Sequence, residues 1–261
     1  MFRFFNGRED EGNGRDPRQS LVTIHNPKCA ASEAYRMLRT NIHFSSGGDS
    51  LKVIVVTSTF PEEGKSLTAV NLAIAFAQAG EDVILVDADM RRSTMHEDFG
   101  VPESPGLSEA IVSGNIEASL RDGPVEGMRL MTAGLTPPNP SELLHSRRMD
   151  SLLDDLKARS DLIVVDAPPV LAVTDASVLA SKADGVILVI NLARSDRNAA
   201  KRAVGALRAV NARILGTVIT GLEPARKRYG YNHYYDRYYH YYDSEHDPDG
   251  KDRTHRGRTV Q

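Results

Sequence analysis

The chain has 261 residues, of which 41% are hydrophobic and 26% charged, a length and composition that suit one globular α/β domain with a substantial core. The formal net charge of −3 argues against a nucleic-acid partner, and the single cysteine, Cys29, excludes an intrachain disulfide and is typical of a reducing compartment. Because no apolar run reaches the roughly 20 residues that a bilayer requires, and the first residues lack a signal-peptide pattern, we predict a cytoplasmic protein.

Strands and helices alternate along the middle of the chain. Residues 1–28 are polar and we expect them to be disordered, and a helix with a charged face follows at Ser32–Ile42. The β-branched run Val53–Val56 is typical of a parallel strand that is buried on both faces. Strands are predicted at Lys52–Ser58, Asp82–Asp87, Arg129–Thr132, Asp161–Asp166, Asp184–Ile190 and Arg213–Thr220. Further helices are predicted at Lys65–Ala79, Leu107–Val112, Pro140–Arg159, Thr174–Ser181 and Asp196–Val210.

The alternation predicts an α/β fold with a doubly wound, mostly parallel sheet in a single domain. We place this domain at residues 29–222, because the pattern stops after Thr220 and the aliphatic content then falls. Residues 223–261 are predicted to be a flexible, tyrosine-rich tail. Sheets of this type bind ligands at the carboxyl ends of their strands, where the functional residues are therefore expected.

A candidate phosphate loop, Thr59–Ser66, follows the first of these strands and precedes a helix. It matches the P-loop pattern of P-loop NTPases except that Thr59 stands where the first glycine is expected. Gly64 lets backbone N–H groups turn toward a phosphate, and the helix N-terminus adds partial positive charge. Lys65 is expected to reach the β- and γ-phosphates, and the Ser66 hydroxyl to bind Mg²⁺. The predicted nucleotide-binding residues are Glu62, Glu63, Gly64, Lys65, Ser66 and Leu67.

Two further strands end in carboxylates. One is followed by Asp87 and Asp89, and another ends in Asp166. Because Mg²⁺ prefers a few carboxylates together with water and phosphate oxygens, these strand ends are candidates for a metal site. Any one of these aspartates also fits a capping role before a loop. Three such elements in one parallel sheet favour a nucleotide site.

Eight of the nine tyrosines are concentrated near the end of the chain. A dense set of phenols in a chain with a phosphate loop indicates phosphate acceptors beside a phosphate donor. The alternative is a segment that stacks on other aromatic groups or on nucleic acid, although Asp236 and Asp243 interrupt it. The predicted autophosphorylation sites are Tyr229, Tyr231, Tyr234, Tyr235, Tyr238, Tyr239, Tyr241 and Tyr242.

Taken together, these motifs resemble the bacterial tyrosine kinase (BY-kinase) family of capsular and exopolysaccharide biosynthesis, in its cytoplasmic P-loop form. The resemblance covers roughly residues 25–242. Its elements are Glu33–Arg39, the phosphate loop with Pro61, Val86–Arg92, Pro137–Leu144, Asp166–Val170 and the tyrosine cluster.

The resemblance implies a protein-tyrosine kinase that uses ATP and Mg²⁺ and transfers the γ-phosphoryl group to tail tyrosines of neighbouring protomers. The implied catalytic residues are Lys65, Asp87, Asp89 and Asp166, and the implied metal ligands are Ser66, Asp87 and Asp166. Either Asp87 or Asp89 would orient and deprotonate the incoming phenol. Arg91 and Arg92 fit two roles. They could contact phosphate or a neighbouring subunit, or they could form structural salt bridges.

The resemblance also implies partners. Glu33, Arg36 and Arg39 resemble a motif that joins protomers into a ring, although alone they fit a solvated helix face. A membrane activator of the polysaccharide chain-length type is expected to recruit the chain to the inner face of the membrane, and a cognate tyrosine phosphatase to reverse the modification. Thr220 departs from an asparagine common in the family, so the adenine contacts are left unassigned.

Two other functions share part of this pattern. A ParA/MinD-like P-loop ATPase switch would use the same lysine and aspartates, but it does not explain the tyrosines. A nucleotide-dependent scaffold without kinase activity would have its tail modified by another kinase. Formation of phosphotyrosine by the purified protein separates these functions from a tyrosine kinase.

Overall fold

A seven-stranded sheet with the order β3-β4-β2-β5-β1-β6-β7 forms the centre of the protein. The computed structural model describes residues 21–45 and 50–221. All neighbouring strands are parallel except β3, which runs antiparallel to β4 at one edge. The strands are β1 (Val53–Ser58), β2 (Val83–Asp87), β3 (Leu120–Asp122), β4 (Met128–Met131), β5 (Leu162–Asp166), β6 (Gly185–Asn191) and β7 (Ile214–Thr220).

Helices cover both faces of the sheet, as predicted for a doubly wound fold. The helices are α1 (Val22–His25), α2 (Ala30–Ser45), α3 (Lys65–Ala77), α4 (Met95–Phe99), α5 (Leu107–Ser113), α6 (Pro140–His145), α7 (Arg147–Lys157), α8 (Asp175–Ala180) and α9 (Arg197–Ala209). The first four contribute to one hydrophobic core, and α5 to α9 to the other.

Strand β1 shows why an unbroken apolar run was a reliable signal. Val53 and Val55 pack into the core on one face of the sheet, whereas Ile54 and Val56 pack into the core on the opposite face. All four side chains are buried because neighbouring side chains on a strand point in opposite directions and helices cover both faces.

The prediction of one helix over Pro140–Arg159 is wrong, because α6 and α7 are separate helices. Ser146 between them is extended, with ψ 154°, and its hydroxyl accepts a hydrogen bond from the Met149 N–H at 3.3 Å. A serine in this role caps a new helix rather than continuing the old one. The short elements α4 and β3 were also not predicted, since five and three residues give little periodic signal.

The prediction that residues 1–28 are disordered is wrong for residues 21–28, which include helix α1. Leu21 is 1% exposed, and the Thr23 hydroxyl donates a hydrogen bond to Asn71 Oδ1 of α3 at 2.9 Å. This short segment therefore packs onto the helix that follows the phosphate loop. Residues 1–20 and the predicted tail from 223 lie outside the described residues.

The strand order brings the predicted functional elements together. Strands β2, β5 and β1 are neighbours, so the residues after each of them meet at the same edge of the sheet. In the register of β2 and β5, Asp87 lies directly beside Asp166. The phosphate loop follows β1 at this edge, and β1 lies next to β5, which ends in Asp166.

Arg91 connects the segment after β2 to helices α6 and α8. Its Nε donates to Asp175 Oδ2 at 2.8 Å, and its Nη2 donates to Asp175 Oδ1 and to the Ser141 hydroxyl, both at 3.2 Å. Asp175 is fully buried, and burying an unpaired carboxylate would cost folding free energy. The two hydrogen bonds from Arg91 neutralise this charge. Of the two roles that sequence left open for Arg91, the structure shows the salt bridge.

We expect Arg91→Met to lower the free energy of unfolding by about 1–3 kcal/mol, because Asp175 would stay buried without its charged partner. Arg91→Lys should have an intermediate effect, since lysine keeps the charge but loses the fork-shaped contact. Urea denaturation measures both, with the exposed Arg202→Met as the control. Equal stability of Arg91→Met and the wild type would contradict this role.

Glu109 on α5 joins two loops, the one before α5 and the one after β4. Its carboxylate accepts hydrogen bonds from the Gly106 N–H at 2.8 Å, the Leu135 N–H at 3.0 Å and the Ser104 hydroxyl at 2.9 Å. Partial burial raises the pKa of Glu109, but these donors outweigh it and lower the pKa from 4.5 to about 2. The ionised carboxylate therefore stabilises the fold.

We expect Glu109→Ala to lower the melting temperature at pH 7 by several degrees, an effect of about 1–3 kcal/mol. Because the folded-state pKa lies below the ordinary value of 4.5, the stabilisation is complete above that pH and disappears as the pH falls toward 2. Thermal denaturation between pH 7 and pH 3 measures this, with the exposed Glu126→Ala as the control. If Glu109→Ala lowers the melting temperature by the same amount at pH 3 as at pH 7, the lowered pKa of Glu109 would be contradicted.

Candidate active site

The phosphate loop has the backbone that an anion site requires. Glu62 and Gly64 both have positive φ, at 61° and 89°, and Gly64 is the N-cap of α3 without a side-chain capping bond. The first N–H groups of this helix are therefore open to an external acceptor. Thr59, in place of the pattern's first glycine, is fully buried.

Lys65 lies at the start of α3 among the aspartates of the two neighbouring strands. Its Nζ is 3.0 Å from Asp89 Oδ2 and 3.3 Å from both carboxylate oxygens of Asp166, and it donates to the Ser66 hydroxyl at 3.2 Å. Asp87, Asp89 and Asp166 are all buried. The structure thus brings the four predicted catalytic residues into one cluster.

The charges in this cluster perturb one another strongly. Burial lowers the pKa of Lys65, but the charges of Asp166, Asp89 and Asp87 outweigh it and raise that pKa overall. Burial, followed by the nearby Asp166 charge, raises the pKa of Asp87 to about 7. Burial also raises the pKa of Asp166, although the Lys65 charge opposes it. One ammonium group therefore does not compensate three carboxylates.

Asp87 and Asp89 are held in place by local bonds. Asp87 Oδ1 accepts from the Asp89 N–H at 3.0 Å, and its Oδ2 accepts from the Ser93 hydroxyl at 2.8 Å. Asp89 Oδ1 accepts from the Arg92 N–H at 3.2 Å. Sequence reasoning missed Ser93, a positioning residue whose only signal was its place in the loop after β2.

The donor set fits Mg²⁺. Ser66, Asp87 and Asp166 offer a hydroxyl and two carboxylates, which are hard oxygen ligands, and the raised pKa of Asp87 indicates a site short of positive charge. Within residues 21–45 and 50–221, no three His, Cys, Asp or Glu side chains form a closed metal cluster.

Two of the predicted nucleotide-binding residues have side chains committed elsewhere. The Glu63 carboxylate is turned inward and accepts from the N–H groups of Thr59 and Phe60. The Glu62 carboxylate forms an ion pair with Arg194 Nη1 at 2.7 Å. The Glu63 carboxylate therefore faces the interior, whereas the Glu62 ion pair lies at the surface, with the Glu62 side chain 60% exposed. Nucleotide binding by these two residues remains a prediction. Leu67 lies in the first turn of α3.

The predicted oligomerisation residues are occupied within this chain. Arg36 forms an ion pair with Glu33 and also donates to the Pro27 carbonyl. Arg39 Nη1 donates to the Ala75 carbonyl of α3 at 2.8 Å. Their role between protomers remains a prediction.

The eight candidate acceptor tyrosines lie outside the described residues. Tyr35 on α2 is described, and its environment differs from that of a free phenol. Burial raises the pKa of Tyr35, partly offset by a hydrogen bond with Thr68. In the part of the chain that the structure covers, no helix has the length and apolar character of a bilayer span.

Comparison with known proteins gives the family. The family model described as CobQ/CobB/MinD/ParA nucleotide binding domain matches residues 54–239. The tyrosine-protein kinase YwqD of Bacillus subtilis (strain 168) is 36% identical over 223 residues, which are 85% of this chain and 94% of YwqD. The putative tyrosine-protein kinase CapB of Staphylococcus aureus is 37% identical over 218 residues, which are 83% of this chain and 95% of CapB.

A solved structure supports the same family. The kinase domain of the Escherichia coli tyrosine kinase ETK is 30% identical, with a TM-score of 0.76, over 86% of this chain and 89% of that domain. The resemblance and the mostly parallel P-loop fold expected from sequence are thereby confirmed. Because it spans nearly the full length of YwqD and CapB, the chain belongs to the bacterial tyrosine kinase family.

Proposed function

We propose that the chain is an ATP-dependent protein-tyrosine autokinase that regulates capsular or exopolysaccharide synthesis or export. The observation that carries this proposal is the position of Lys65, between Asp89 and Asp166 at the start of α3, in a chain that also contains eight clustered tyrosines. The close relatives named as tyrosine kinases support it.

Phosphoryl transfer depends mainly on positioning and on charge stabilisation. The N–H groups at the start of α3 and the Lys65 ammonium would bind the β- and γ-phosphates of ATP. Ser66, Asp87 and Asp166 would hold Mg²⁺, which neutralises phosphate charge when it is bound. Lys65 keeps its proton throughout, because the surrounding aspartates raise its pKa.

A phenol has a pKa near 10, so the acceptor tyrosine must lose its proton during the transfer. Asp87 or Asp89 would accept this proton, since both reach the same cluster as Lys65. The contacts with Ser93 and the Arg92 N–H fix the orientation of these two carboxylates before the acceptor arrives.

The acceptor is proposed to come from a neighbouring protomer. The segment from Glu223 to Tyr235 spans at most roughly 45 Å, enough to reach an adjacent subunit. Contacts through Glu33, Arg36 and Arg39 would hold the protomers in a ring. A membrane activator would recruit this ring to the inner face of the membrane, and a cognate tyrosine phosphatase would reset it. Membership of the family supports oligomerisation and a membrane partner.

Lys65→Met should abolish autophosphorylation, because the phosphates lose their main cationic contact and three buried aspartates lose their partner. Mass spectrometry of the tail after incubation with ATP and Mg²⁺ measures the result beside the wild type. Circular dichroism checks that the variant is folded. Undiminished phosphotyrosine in folded Lys65→Met would remove the proposed active site.

The same experiment separates the alternative functions. Wild type that hydrolyses ATP without forming phosphotyrosine would be a ParA/MinD-like switch. If the tail is phosphorylated only after another kinase is added, the chain is a scaffold. A candidate activator fragment belongs in each assay, since a kinase that depends on it would otherwise be missed.

We expect heavy phosphorylation to loosen the oligomer. Each phosphotyrosine adds about −1.5 to −2 charges, so several on one tail add on the order of ten charges per subunit. Light scattering of phosphorylated and phosphatase-treated samples measures the mass of the assembly. The difference in mass between the two samples should shrink at high salt, because salt screens the repulsion between the phosphorylated tails. Equal masses at low salt would argue against this mechanism.

A further inference from the structure

Glu63 is held by two other parts of the chain as well as by its own loop. Its Oε2 accepts from the N–H groups of Thr59 at 2.8 Å and Phe60 at 3.1 Å, and its Oε1 accepts from the Ser195 hydroxyl. Its carbonyl accepts from the Thr220 hydroxyl at 2.7 Å. Glu63 is 1% exposed, so these contacts form in the protein interior.

The Thr220 contact determines how the peptide between Glu63 and Gly64 is oriented. In a trans peptide the C=O and N–H groups point in opposite directions. Since the Glu63 carbonyl faces Thr220 at the end of β7, the Gly64 N–H must face away from that strand. Within the described ranges, no hydrogen bond uses this N–H, which lies at the N-terminus of α3.

Glycine at position 64 makes this orientation dependent on outside support. Gly64 has φ 89°, and glycine occupies both signs of φ at little cost, so it does not itself prevent the peptide from rotating. The Glu63 carboxylate holds the residue before this peptide, and Thr220 holds the peptide oxygen. The geometry that presents the N–H therefore depends on residues from separate segments.

We propose that Thr220 is a positioning residue for the nucleotide phosphates: its hydroxyl holds the Glu63–Gly64 peptide so that the Gly64 N–H faces the bound phosphate. The inference rests on the proposed function, since it assumes that a nucleotide binds at this loop. It assigns a role to the residue that departs from the asparagine common in the family. It also links the phosphate loop to the strand end from which the tyrosine-bearing segment continues.

Calorimetric titration of the full chain with ADP tests the proposal. Thr220→Ala should bind ADP about fivefold to tenfold more weakly than the wild type, the loss typical of one hydrogen bond. Thr220→Ser should stay within about twofold, because it restores the hydroxyl without the methyl group. Thr220→Val, which keeps the shape of threonine without its hydroxyl, should behave like alanine. Thr217→Ala, an exposed position on the same strand, is the matched control.

A second measurement tests the orientation itself. In the wild type and Thr220→Ser, the Gly64 amide resonance should shift strongly on addition of ADP, whereas in Thr220→Ala and Thr220→Val the shift should be much smaller. Thermal denaturation without nucleotide checks that each variant is folded.

The outcomes separate the inference from the function on which it rests. A wild type that binds no ADP removes the proposed function. If the wild type binds ADP, the inference fails when Thr220→Ala and Thr220→Val bind ADP as tightly as the wild type. It also fails when Thr220→Ser binds ADP as weakly as Thr220→Ala. It also fails when Gly64 responds equally in all variants.

Discussion

Lys65 brings one positive charge to three carboxylates that the parallel strands β2 and β5 and the loop after β2 place beside it. A buried group of this kind is stable only because each member is held in position. The strand register places Asp87 beside Asp166, Ser93 orients Asp87, and Lys65 is held at the start of α3. The remaining excess of negative charge suits a site that receives further cations with its ligand.

The same constraint explains much of the architecture around the site. The α3 N-terminus must point at the edge where β2 and β5 end, so β1 has to lie next to β5 in the sheet. Residues 21–25 pack onto α3 through Thr23 and Asn71, and Arg91 fixes the chain after β2 against α8. Contacts far from the phosphate loop therefore keep α3 aligned with the aspartates.

Sequence alone could predict the sheet, its main strands and the cluster of Lys65 with the aspartates. The strands are long apolar runs, and carboxyl ends of parallel strands meet wherever the strands are adjacent. Sequence alone could not predict the break at Ser146, because the residues of α6 and α7 all favour a helix and only this one capping serine separates them. The role of Glu63 was also hidden, since an acidic residue in a phosphate loop does not reveal which way its side chain turns. Ser195 holds the Glu63 carboxylate and Thr220 holds the Glu63 backbone carbonyl, and both partners lie more than 130 residues away in sequence.

The burial of Tyr35 has a spectroscopic consequence. The chain contains no tryptophan, and Tyr35 is the one tyrosine among the described residues. Because its pKa is raised by burial, its phenol ionises at higher pH than an ordinary phenol near pH 10. Because the other eight of the nine tyrosines lie near the C-terminus, they supply most of the near-ultraviolet absorbance of this protein, and phosphorylation there can be followed optically without an introduced label.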